Sequence, residues 1–226
     1  LTAVDNGSTI DMTASVSGGY EITGGKGIDY LIGGPDSDKL IGGLGEDIFV
    51  IKSGTDIIFD LTTGDTFDVF SGATLEATNV ENFVATTSVS NSGTVQIFSH
   101  QDGSVIDMSL SERGIYTISG ANGVDDITGG SGPDTLTGGA GDDIFRIKEG
   151  NDIITDLFTG DSFIVSSGAT LHAKDIKNFV ATNQTANTGL ARLTSSSVGS
   201  YIDISNSASG SYTIEGSEQI DTLIGS

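Results

Sequence analysis

The chain lacks cysteine entirely, and its 226 residues include only two prolines, two histidines and nine basic side chains against 31 acidic ones. Without cysteine there is no disulfide framework and no thiolate metal site, although the compartment stays open. The shortage of Lys and Arg leaves a net charge of −22. That argues against nucleic acid or an anionic membrane surface as a partner, because both need clustered cations. It favours a cationic partner, of which a metal ion is the smallest. No apolar run approaches the length of a membrane span. The opening "LTAVDNGSTIDM" is not a signal peptide, and the final "IDTLIGS" falls within a pattern, so the chain reads as a piece of a longer protein. Self-repulsion should oppose compaction until something neutralises it. A purely disordered acidic chain is set aside because Ile, Val, Leu and Phe recur at regular spacing.

What the chain has instead is glycine, 33 residues of it, and internal repetition. Asp11, Asp107 and Asp203 stand 96 residues apart, as do Tyr20, Tyr116 and Tyr212. Residues 51–86 and 147–182 share 24 of 36 identities, whereas 87–104 and 183–200 diverge. The division expected is the end of a preceding unit (1–23), unit 1 (24–119), unit 2 (120–215) and the truncated start of another array (216–226). Each unit splits into a glycine–aspartate array, 24–68 or 120–164, and a segment with the period-2 alternation of strands, 69–119 or 165–215. No helical period extends beyond two turns. The fold expected is all-β: parallel coiled arrays alternating with strand segments that either continue the coil or form small sandwiches.

The arrays run on a nine-residue clock. "GGKGIDYLI", "GGPDSDKLI" and "GGLGEDIFV" are followed by two frames, 51–59 and 60–68, that lack the glycine pair. Position six is Asp29, Asp38, Asp47, Asp56 and Asp65, then Asp125, Asp134, Asp143, Asp152 and Asp161 in unit 2; position eight is apolar throughout. Six Gly-rich residues make a turn through backbone angles open mainly to glycine, and three make a strand with one inward apolar side chain. Two nonapeptides close one coil, so residues 18 apart stack at about 4.8 Å. Bare carboxylates at that spacing repel strongly, and a hard divalent cation between turns reverses the sign. Calcium suits a flexible all-oxygen site better than magnesium, and zinc would want His or Cys.

The repeated Gly-Gly-x-Gly-x-Asp-x-apolar-x resembles the RTX (repeats-in-toxin, hemolysin-type) nonapeptide. The resemblance implies a parallel calcium β-roll with about three ions per 96-residue unit. Each ion would lie between carbonyls two and four plus Asp six of one frame, and carbonyls one and three plus Asp six two frames on. Carried over, Gly25, Gly27 and Asp29 pair with Gly42, Leu44 and Asp47. Gly34, Asp36 and Asp38 pair with Ile51, Ser53 and Asp56; Gly43, Gly45 and Asp47 pair with Asp60, Thr62 and Asp65. In unit 2, Ala121, Gly123 and Asp125 pair with Gly138, Ala140 and Asp143. Gly130, Gly132 and Asp134 pair with Ile147, Glu149 and Asp152, and Gly139, Gly141 and Asp143 with Asp156, Phe158 and Asp161. Asp221 has no partner 18 residues on, so the last array is expected to be ion-poor or disordered.

Other features read more plainly. His100 and His172 become Ser196 and Glu76 in the other unit, which fits surface residues better than catalysis. Tyr20, Tyr116 and Tyr212 replace the position-six Asp before each array and read as hydrophobic caps. Phe83 and Phe179 read as core, Asp11, Asp107 and Asp203 as weak candidates for another ion, and the Asn6 and Asn183 triplets as chance sequons. The function expected is a non-catalytic, secreted, calcium-folded repeat of an adhesin-like or surface-layer-like bacterial protein. Its partners would be calcium, neighbouring units and, in addition, self-assembly or a surface ligand. The alternatives are a carrier module of a secreted RTX enzyme or toxin, and a carbohydrate- or host-surface-binding module.

Overall fold

The computed structural model describes residues 1–3 and 7–225, which leaves Asn6, the first residue of its triplet, and Ser226 outside the described residues. Among the described residues 25 short strands, and no helix, wind into a parallel β-solenoid. One wall is a single sheet of 11 strands, from Glu21–Thr23 to Tyr212–Glu215. Each of its strands marks one turn of the coil. The sheet passes through 69–119 and 165–215 without interruption, so these segments continue the coil and form no sandwich.

The register explains the 96-residue period. Along the long wall Ile22, Leu40, Ile58, Ala77, Ile97 and Ile118 stack as successive partners, at intervals of 18, 18, 19, 20 and 21 residues. The same series restarts through Leu136, Ile154, Ala173, Leu193 and Ile214. Each unit is therefore five turns that lengthen and then reset to 18. All of these side chains are buried except the half-buried Ile214. In a strand only alternate residues face inward, so one apolar residue per turn makes a continuous core row.

A second row faces it: Leu31, Phe49 and Phe67 on one sheet, then Ile106, Ile127, Phe145 and Phe163. Phe83 joins the two halves, stacked on Phe67 with ring centroids 5.9 Å apart, and Phe179 repeats this on Phe163 at 5.9 Å. Here the second wall divides. Thr66–Val69 pairs onward with Ser90–Asn91, while Asn82–Val84 starts a new sheet with Val105–Asp107. The longer turns thus have three short sides where the array turns have two.

Among the described residues two non-glycine residues take left-handed backbone angles, Asn79 (φ 61°) and Asp175 (φ 54°), 96 residues apart. Each sits where the pairing register slips, between Ala77 and Val80 or between Ala173 and Ile176. Asn and Asp tolerate this region better than other side chains, and the resulting bulge fits an extra residue into the longer turn. In the last array Thr222–Ile224 pairs with Tyr201–Asp203.

Candidate metal centre

The aspartates at position six lie in two columns, one on each edge of the coil. The first column holds Asp29, Asp47 and Asp65: Asp29 N–H donates to Asp47 Oδ1 at 2.8 Å, and Asp47 N–H to Asp65 Oδ1 at 2.8 Å. The second holds Asp38 and Asp56, joined the same way at 3.0 Å. Unit 2 repeats both, with Asp125 to Asp143 at 2.9 Å, Asp143 to Asp161 at 3.0 Å and Asp134 to Asp152 at 2.9 Å. Carboxylates 18 residues apart are thus held in direct register by the main chain itself.

All ten are buried. The second carboxylate oxygen commonly turns back on its own loop: Asp29 Oδ2 accepts Gly25 N–H at 2.6 Å, and Asp161 Oδ2 accepts Phe158 N–H at 2.9 Å. Several oxygens find nothing. Asp29 Oδ1, Asp56 Oδ2, Asp125 Oδ1, Asp143 Oδ2 and Asp152 Oδ2 are buried without a hydrogen-bond partner among the described residues. A buried charged oxygen left unpaired is costly, and in a native fold it points to a cation or a proton.

Burial raises the carboxyl pKa values accordingly. Desolvation is the main cause at Asp47, Asp134 and Asp143, pushed up to about 6, and at Asp56, Asp152 and Asp161, pushed up to about 7. The neighbouring carboxylate adds to the rise, with Asp38 acting on Asp56 and Asp134 on Asp152.

The glycines show how closely carboxylates and carbonyls of successive turns approach the main chain. A Cβ placed on Gly33 would sit 2.5 Å from Asp56 Oδ2 and 2.6 Å from Asp38 Oδ2, so two carboxylates of successive turns face one side-chain-free spot. A Cβ on Gly24 would meet both the Gly42 carbonyl and Asp29 Oδ2, and one on Gly120 would meet the Gly138 carbonyl and Asp125 Oδ2. The position-two and position-four carbonyls also face the next turn on their own edge. Those of Gly25 and Gly27 abut Gly43 and Gly45, that of Asp36 abuts Gly54, and those of Ala121, Gly123 and Gly132 abut Gly139, Gly141 and Gly150. The donor set is all oxygen, from two carboxylates plus main-chain carbonyls, which is the chemistry of calcium. Among the described residues no three His, Asp or Glu side chains converge, as expected where the main chain supplies most of the ligands.

Some expected ligands have additional roles. The carboxylates of Asp60 and Asp156, expected only as carbonyl donors, accept the paired amides of Gly42 and Gly43 (2.9 and 2.8 Å) and of Gly138 and Gly139 (2.9 and 2.8 Å). Asp36 Oδ2 accepts Gly18 N–H at 2.6 Å. The carbonyls of Gly25 and Ala121 already accept the amides of Leu44 (2.9 Å) and Ala140 (2.7 Å). Thr62 N–H donates to Asp65 at 2.8 Å. Ser53 and Glu149 are exposed, whereas Ile51 and Ile147 are buried in the core.

Residues outside the columns take structural places. Asp11, Asp107 and Asp203 each accept the N–H two residues on, from Thr13, Ser109 and Ser205 at 2.9 Å, as turn caps. His100 lies near Glu81 and Asp102, about 4 Å from each carboxylate, and His172 Nε2 meets Thr194 Oγ1 at 2.9 Å. Asn91 and Asn187 had no signal beyond their 96-residue spacing. Both are buried, and each accepts the N–H two residues on and donates across to the next turn, Asn91 to Ile115 O at 3.0 Å.

A parallel solenoid whose turns carry two columns of buried, register-locked carboxylates has the oxygen chemistry to take up cations. The family model for the RTX calcium-binding nonapeptide repeat matches residues 23–58 and 119–154. These two matched stretches are RTX calcium-binding repeats; Asp29, Asp38, Asp47 and Asp56 and their unit 2 counterparts fall inside them, and Asp65 and Asp161 lie beyond them. No curated protein and no solved structure matches the chain. The family implies calcium, and the residues present fit it. Asp29/Asp47, Asp38/Asp56 and Asp47/Asp65, with their unit 2 counterparts, would hold the ions together with neighbouring carbonyls. Bound calcium supplies the positive charge that lets stacked carboxylates stay ionised.

Proposed function

We propose that this chain is a non-catalytic, extracellular calcium-binding structural repeat that stiffens when calcium binds, as part of a secreted, adhesin-like or surface-layer-like protein. The observation that carries this reading is the set of buried, unpartnered carboxylate oxygens stacked turn upon turn. In a cytosol where calcium is scarce the columns repel and the arrays stay loose. Outside, where extracellular modules bind in the range of about 10⁻⁴–10⁻³ M, the ions close them. Three ions per unit over two units would offset about 12 of the 22 net negative charges. The tandem 96-residue design, with no change in turn count between units, suits a spacer better than the tail of an enzyme. Circular dichroism in chelator and in millimolar calcium tests this. A large gain of β-structure with calcium is expected, and identical spectra would overturn it.

A second reading, presentation of a ligand-binding face, is favoured by the outward side chains. Glu76, Thr78 and Glu81 of unit 1 become His172, Lys174 and Lys177 in unit 2, within the stretch whose core is most alike. A glycan array probed with the calcium-loaded chain checks it, with binding confined to unit 2 as the supporting result.

A further inference from the structure

The two edges of a unit are unequal. The first column stacks three aspartates, Asp125, Asp143 and Asp161, but the second stacks Tyr116, Asp134 and Asp152. The main chain at the tyrosine nonetheless has the geometry of a metal turn. Tyr116 N–H donates to Asp134 Oδ1 at 2.7 Å, as Asp134 N–H does to Asp152 at 2.9 Å. Gly114 has φ 144°, against 147° at Gly141 and 152° at Gly45, which occupy the same place in aspartate turns. The Gly114 carbonyl abuts Gly132 on the next turn, as the Gly123 carbonyl abuts Gly141.

The side chain at position six differs. The Tyr116 ring is fully buried, and its Cε2 comes within 3.0 Å of where a Cβ on Gly130 would stand. Its hydroxyl donates to the Arg113 carbonyl at 3.0 Å, which also accepts Asn91 N–H. A neutral aromatic group and an internal hydrogen bond thus fill the space that a carboxylate and a cation would share. Tyr20 repeats the arrangement: its N–H donates to Asp38 Oδ1 at 2.7 Å and its hydroxyl to the Ser17 carbonyl at 3.2 Å.

We propose that Tyr116 and Tyr20 each close a fourth cation position on an already suitable main chain, and so fix the ion count at three per unit. Resting on the calcium reading above, the proposal assigns these residues a selective role: they decide which turns take an ion. A carboxylate at position 116 would face Asp134 as Asp125 faces Asp143. The bond to Arg113 and the buried ring make this turn complete without calcium, so the ion-free linker meets the ion-bound array at a rung needing no metal.

The test is calcium stoichiometry by equilibrium dialysis on the whole chain, with folding followed by circular dichroism. Tyr116→Asp and Tyr20→Asp should each bind one ion more than the parent, and the double variant two more. Tyr116→Phe should keep the parent count. An Asp variant that folds in calcium with the parent count overturns the proposal. So does failure of both Asp variants to fold in saturating calcium, since the main chain would then not accommodate a cation. A parent chain that takes up no calcium overturns the calcium reading instead, and shows this before any variant is compared.

Discussion

Asp29 and Asp47 stand 18 residues apart in the chain and one turn apart in the coil, and the amide of the first donates to the carboxylate of the second at 2.8 Å. Asp47 in turn receives its neighbour's bond while donating its own amide to Asp65. Members of a column are therefore not equivalent. On the calcium reading, a middle aspartate would serve two cation positions and an end aspartate one.

Replacing Asp47 by Asn should therefore remove two ions, and replacing Asp29 or Asp65 should remove one. Asp143 stands to Asp125 and Asp161 in the same way. Titration calorimetry or equilibrium dialysis with calcium reads the difference directly. Equal losses at Asp47 and Asp29 would mean that the ions do not sit between successive turns.

Acid should order the calcium-free coil. A carboxyl whose pKa is raised in the folded state holds its proton more tightly there than in the unfolded chain. Its contribution is fully present below the unfolded value, near 3.8, and is lost as pH rises through the folded values of about 6 to 7 at Asp47, Asp56, Asp134, Asp143, Asp152 and Asp161. In chelator the thermal midpoint should thus fall from pH 4.5 to pH 7.5. In calcium the order should reverse, because protons and calcium compete for the same oxygens. Melting curves at the two pH values, with and without chelator, check both signs.

Two glycines separate backbone strain from crowding. Gly72 (φ 86°) has open space where a Cβ would stand, whereas a Cβ on Gly43 (φ 99°) would run into the Gly25 carbonyl of the previous turn. Gly72→Ala should cost about 1–2 kcal/mol from the left-handed angle alone. Gly43→Ala should cost clearly more and weaken calcium binding on its edge. Denaturant titration in saturating calcium measures both.

The stacked pair Phe67 and Phe83 joins the two halves of the second core row. Truncating Phe67 to Ala should cost roughly 3–5 kcal/mol. Because each turn touches only its neighbours, the damage should stay local. Hydrogen exchange should speed up in the turns carrying Phe49, Phe67 and Phe83, and leave protection around Phe145 and Phe163 intact.

The arrays were legible in the sequence because their period is fixed. With Asp at position six and an apolar residue at position eight, 18-residue stacking follows from strand geometry, and the columns Asp29–Asp65 and Asp38–Asp56 appear where that spacing puts them. The linker was not legible to the same degree. Its turns grow by one residue at a time, so Ala77 and Ile97 share the row of Leu40 without sharing any period with it. The bulges at Asn79 and Asp175 and the splitting of the second wall depend on backbone angles that neither residue type dictates. Asp60 gave no warning that its side chain would take the Gly42 and Gly43 amides, since in the degenerate frame it looked like a substituted glycine. Tyr116, read as a hydrophobic cap on the array, lies fully buried in a core that continues past the array on both sides.

The lengthening turns have a mechanical consequence. Five turns at about 4.8 Å each give a 96-residue unit an axial rise of roughly 24 Å, whereas the same residues drawn out would reach about 320 Å. A unit under tension therefore stores more than ten times its resting length. On the calcium reading, its ion-bound turns are clasps and its ion-free turns are the slack between them. Pulled from its ends, such a chain should yield in steps of one unit, and the concentration of a dissolved salt would set the force at which each step gives way.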